Sequence, residues 1–62
     1  MTAHVHINMI KAAFHDDGDG AEELARILRV LSATLSGWPL PTAPIVLKDI
    51  NGNNVGLFQV KP

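Results

Sequence analysis

Asn51-Gly52, set between the apolar runs at 45–47 (IVL) and 55–58 (VGLF), constrains this chain more than any other feature. Asn-Gly is the strongest short signal for a tight β-hairpin, because both residues tolerate the positive φ that a two-residue type I′ turn demands. Such a turn sets the register. Ile50 then faces Asn53, Lys48 faces Val55, Leu47 faces Gly56, Val46 faces Leu57 and Ile45 faces Phe58. Side chains alternate across a strand. One face of the hairpin therefore carries Ile45, Leu47, Phe58 and Val60, and the other carries Val46, Lys48, Ile50, Val55 and Leu57.

The same stretch competes for a second reading. Asp49, Asn51 and Asn53 offer oxygen at alternate positions, as at the start of a calcium loop. An EF-hand loop needs glycine at its sixth place and a bidentate Glu at its twelfth. Counted from Asp49, those places hold Asn54 and Val60. The glycine sits at the fourth place, where it serves a turn, so the hairpin is the expectation.

Residues 21–36 (AEELARILRVLSATLS) read as a helix. Leu24, Leu28, Leu31 and Leu35 follow spacings of 4, 3 and 4, which puts them on one helical face, and Ile27 widens the stripe. Arg26, Arg29 and Ala33 fall on the opposite side. Asp19 or Gly20 suits the N-cap, Glu22 and Glu23 suit the positive end of the helix dipole, and Gly37 with Pro39 ends the helix. Glu22 and Arg26, four apart, form a surface pair worth ~0.3–0.5 kcal/mol. Near the N-terminus, AHVHINMI (3–10) alternates: Val5, Ile7 and Met9 on one face, His4, His6 and Asn8 on the other. That pattern is a half-buried strand.

The expected architecture is α+β, a single domain over 1–62 in the order β-α-β-β: strand 3–10, helix 20–36, hairpin 44–60. One helix packs on a three-stranded, mainly antiparallel sheet and can cover only one of its faces. The expected core is Val5, Ile7, Met9, the helix leucines, Ile45, Leu47, Phe58 and Val60. Val46, Ile50, Val55 and Leu57 are left on the uncovered face. Burying one such side chain stabilises by ~1.5–3 kcal/mol, and an exposed cluster of them is unusual in a monomer. The reading is an interface of Val46, Ile50, Val55, Leu57, His4, His6 and Trp38, the last from the stiff loop GWPLPTAP at 37–44, where it reads equally as a lid on the core. Its partner is a second copy, a host protein or a phage protein.

Size supports that need. Sixty-two residues bury only ~60% of the unfolded surface, so a domain this small calls for help from disulfides, a metal or a partner. There is no cysteine, which excludes disulfides and thiolate zinc sites. A net charge of −1 without a basic run leaves no electrostatic footprint for nucleic acid. No apolar stretch approaches the ~20 residues that span a bilayer. MTAHVHINMI lacks the basic start and long apolar stretch of a signal peptide, so a cytoplasmic protein is expected.

Other constellations weigh less. His4 and His6 point the same way from a strand and, with His15, form the alternative reading of a metal site. Asp17-Gly18-Asp19-Gly20 has oxygen for a cation, yet helix capping explains it as well. Arg26 and Arg29 share a helix side, the only hint of nucleic-acid binding. PTAP (41–44) matches a short motif bound by some trafficking domains, but it runs directly into a strand. Ser32 and Ser36 have no base at a useful spacing, DGDG lacks the phosphate-loop pattern, and a chain this small has little room for a pocket of ~300 Å3. Neither an enzyme nor a cofactor is expected.

Three pieces taken in order, residues 12–14 (AAF), 25–29 (ARILR) and 49–56 (DINGNNVG), resemble a group of very short proteins encoded by tailed bacteriophages and prophages. The likeness spans residues 12–60. This chain departs by a longer proline-rich loop before the hairpin, and by Lys11 where a small polar residue is expected. The resemblance implies a phage accessory protein, without a known activity and without site residues to carry over, that works by binding other proteins.

Overall fold

The computed structural model describes every residue except Lys11, Asp16, Asp17 and Trp38, and gives Ala12 through its backbone alone. Strand β1 (Thr2–Ile7) leads to a single 3-10 turn (Ala12–Phe14), helix α1 (Ala21–Leu35), strand β2 (Ile45–Lys48) and strand β3 (Asn54–Lys61). The fold is α+β with the expected order. The sheet runs β1-β3-β2, so β3 is central and antiparallel to both neighbours.

Local chemistry accounts for the boundaries. β1 is shorter than 3–10 because Asn8 turns the chain: its N–H still donates to the Val55 carbonyl at 2.7 Å, while its side-chain oxygen accepts from the Ile10 N–H at 3.2 Å. The helix begins one residue after its N-cap Gly20, and the Asp19 carboxylate accepts the Ala21 N–H at 3.0 Å. At the other end the Ser36 N–H donates to the Ser32 carbonyl at 3.0 Å before Gly37.

The hairpin departs from the two-residue turn. The Gly52 N–H donates to the Asp49 carbonyl at 3.0 Å, and the Asp49 N–H donates to the Asn53 carbonyl at 3.0 Å. A type I′ turn requires positive φ at both central residues, whereas here only Gly52 has it, at 83°. The loop is therefore three residues long, with glycine in the left-handed position of a bulge. Asp49 explains the choice. Its carboxylate is buried and accepts from the Asn51 N–H (3.0 Å), the Asn53 N–H (2.8 Å) and the Asn53 side-chain amide (3.0 Å). The alternating oxygens that imitate a calcium loop are thus the parts of a self-bonded turn.

The extra loop residue is balanced farther along. Ile45, Val46 and Leu47 pair with Phe58, Leu57 and Gly56 as the sequence predicts, but Lys48 pairs with Asn54, and Val55 is the unopposed residue. This bulge turns Val55 to the helix side, where it is 5% exposed. Val55 is a core residue and not a member of the uncovered face.

The core comprises Phe14, Ile27, Leu31, Leu47, Val55 and Phe58, with Ile7, Met9, Leu35, Ile45 and Val60 packed around it. Two expectations change. Phe14, from the 3-10 turn, is the most deeply buried side chain among those described, at 1% exposed. The turn that carries it lies against α1. The helix is also rolled from the leucine stripe: Glu23, Ile27 and Leu31 point inward, and Leu28 is left 42% exposed. The roll follows from the position of α1, which lies close against β2 and farther from β1. Val5, expected in the core, is consequently 47% exposed.

Gly56 lets the three strands meet. A Cβ there would overlap the His6 carbonyl, which is backbone and cannot swing away.

Candidate association surface

The expected interface residues divide among three places. His4, His6, Val46 and Leu57 do share the uncovered sheet face, since His6 pairs with Leu57 and Leu57 with Val46. Val46 and Leu57 are 48% and 41% exposed, so two apolar residues remain there in place of the four expected. Val55 has moved to the core. Ile50 sits on the hairpin loop at the helix end, where it lines a cleft of about 320 Å3 with Phe14, Glu23 and Arg26. Trp38 lies outside the described residues.

That cleft is lined by an ion pair that sequence spacing assigned differently. Arg26 does not pair with Glu22. Its Nε and Nη2 donate to the Glu23 carboxylate at 2.6 and 3.0 Å. Glu23 also accepts the Ile50 N–H at 2.8 Å, and Arg26 donates to the Lys48 carbonyl at 3.2 Å. The arrangement fastens the first turns of α1 to the hairpin. The Arg26 guanidinium holds the Glu23 carboxyl below its ordinary value, against the opposing effect of burial, and Glu23 in turn raises Arg26. Arg26 is therefore committed to the fold, which removes half of the two-arginine hint for nucleic acid. Arg29 remains exposed on the same cleft.

The histidines do not converge. His4 bonds Thr2 at 2.8 Å on the sheet, His15 follows the 3-10 turn, and among the described residues no three His, Cys, Asp or Glu side chains are placed to hold a metal ion. Of the acidic turn, Asp19 caps the helix and Asp17 lies outside the described residues. In PTAP, Thr42, Ala43 and Pro44 are exposed and lead into β2.

Sequence reasoning missed an apolar opening beside the helix. Because α1 leans over β2, a groove of about 530 Å3 opens between α1 and β1, lined by Val5, Leu28, Leu31, Leu35 and Phe58 with Ser32 and Ser36 at its rim. Clefts of the size judged too large for this chain thus do form, as open grooves beside the helix. The available signal was the width of the stripe: Ile27 with four leucines covers more surface than one strand pair can receive. No helix among the described residues is long and apolar enough to cross a membrane. Comparison with protein-family models, with curated proteins and with solved structures finds no match.

Proposed function

We propose that this chain acts by protein–protein association, as a small accessory protein of the phage type its sequence resembles, on a cytoplasmic partner that is a host protein, a phage protein or another copy. One observation carries the reading: apolar residues expected in the core, Val5 and Leu28, stand 47% and 42% exposed along one groove beside an open strand edge. Apolar side chains gathered along a groove mark binding sites in soluble proteins. The uncovered face, with Val46 and Leu57 beside His4 and His6, is the lesser surface.

A photo-crosslinking residue tests this at position 28, with Thr34 on the other flank of the helix as control. Expression in bacterial cells followed by irradiation is expected to give protein adducts from position 28 and few from position 34. Equal yields from both, or none from position 28, would remove the groove from the function.

A further inference from the structure

The two edges of the sheet are not alike. β2 is a four-residue strand, entered from Pro44 and ending in Lys48 at an irregular pairing. Short length, proline, lysine and bulges are the devices by which sheet edges resist pairing with other chains. β1 has none of them. Its six residues, TAHVHI, hold no proline, lysine or carboxylate, and its register with β3 runs unbroken from Thr2 to Ile7.

The free bonding groups of β1 can be assigned. Asn8 donates to Val55 in the same register that pairs Thr2 with Lys61, so Asn8 and Val55 form a hydrogen-bonded pair. Antiparallel ladders alternate bonded and non-bonded pairs. His6, His4 and Thr2 therefore bond to β3, while Ala3, Val5 and Ile7 direct their N–H and C=O groups to the open edge. No described residue of the chain pairs with them. The same three residues project their side chains to the helix side, toward the groove of Val5, Leu28 and Leu35.

We infer that the occupant of this edge is a second copy of the chain, joined β1 to β1 about a two-fold axis at Val5. This rests on the reading that the protein works by association and names the partner and the surface. A two-fold antiparallel pairing must match bonding residue with bonding residue. Centred on Val5, it pairs Val5 with Val5 of the second copy, Ala3 with its Ile7 and His4 with its His6, five of the six residues of each strand. The three-stranded sheets become one sheet of six strands, and the two half-covered grooves meet side by side, Leu28 near Leu28. Identical strands pair without repulsion here because residues 2–7 carry no Lys, Arg, Asp or Glu and the whole chain only −1. Shape agrees. The isolated chain exposes 4437 Å2, whereas a compact monomer of 6.7 kDa exposes about 3,900 Å2. Its radius of gyration is 12.2 Å, against about 10.6 Å for a compact chain of this length. The surplus is roughly 500 Å2 per chain, so two chains that buried it would share about 1,000 Å2, the low end for a specific interface.

Sedimentation equilibrium on the full chain is expected to give twice 6.7 kDa at micromolar to millimolar concentration. Val5→Pro is the decisive variant, because the Val5 N–H lies outside the intramolecular ladder; its circular dichroism should stay that of the wild type while its mass halves. The chain has no cysteine, so Val5→Cys should oxidise to a disulfide-linked dimer and Val46→Cys, on the uncovered face, should not. Opposed residues of antiparallel strands lie within disulfide reach. A monomeric wild type, or a linked dimer from Val46→Cys in place of Val5→Cys, overturns the inference. A monomer whose position 28 still crosslinks to a different protein would sink the second copy alone and leave association standing.

Discussion

Glu23→Gln keeps the shape of the side chain and removes its charge. Glu23 is 8% exposed and accepts three hydrogen bonds, from Arg26 Nε at 2.6 Å, Arg26 Nη2 at 3.0 Å and the Ile50 N–H at 2.8 Å. The amide retains one oxygen and turns an NH2 group toward the remaining donors. A hydrogen bond to a charged group is worth ~1.5–3 kcal/mol net. The Arg26 side chain is 31% exposed and recovers part of its loss from water, so the lower part of that range applies, about 2 kcal/mol. A domain of this length has roughly 3–9 kcal/mol in total, and each 1 kcal/mol moves the melting temperature by ~4–8 °C. The expected drop is therefore about 8–16 °C, measured by circular dichroism on heating and in urea at pH 7. Acid should erase it. The Glu23 carboxyl is lowered from 4.5, first by its bond to Arg26. A lowered folded pKa contributes stability above the unfolded value that is lost as pH falls through the folded one. The gap between wild type and Glu23→Gln should therefore narrow below pH 4.5 and close at lower pH. A difference under ~0.5 kcal/mol at pH 7, or one that persists unchanged at pH 2–3, would show that the helix and hairpin are not fastened through this carboxylate.

Three further outcomes follow from the same packing. Gly56→Ala should destabilise by ~1–3 kcal/mol, because the added methyl meets the His6 carbonyl; a chemical-denaturation midpoint equal to that of the wild type would contradict the close strand approach. Asp49→Ala should cost ~1–3 kcal/mol, since it strands the Asn51 and Asn53 N–H groups, and Asp49→Asn should recover part of that because one oxygen remains; equal thermal melts for the two variants would argue against the self-bonded loop. Phe14→Ala should lose ~3–5 kcal/mol, enough to leave the chain largely unfolded by amide hydrogen exchange, while Phe14→Leu keeps the fold; full protection in Phe14→Ala would refute its place in the core.

The candidate surface was legible only in part. His4, His6, Val46 and Leu57 could be placed on one sheet face from alternation alone, because a strand's period of two is a local property. The β1 edge and its groove could not. Their exposure depends on which strand lies in the centre and on where the helix axis falls, and neither is encoded in the periodicity of one segment. The Glu23–Arg26 pair shows the same limit. Spacings of three and four are both compatible with helical neighbours, and the contact of Glu23 with Ile50, 27 residues away, decides between them.

Local pattern by itself determined the element order, the helix between its glycine boundaries, the alternating first strand and the hairpin with Leu47 opposite Gly56. Each rests on interactions within a few residues: turn chemistry, capping and the repeat of apolar positions. Tertiary structure decided the remainder. The bulge after the hairpin loop carried Val55 from the open face into the core, and the roll of the helix toward β2 buried Ile27 while exposing Leu28 and Val5. Bulges and helix roll are settled by what packs best across the whole domain, where one residue of slip changes the face of a side chain.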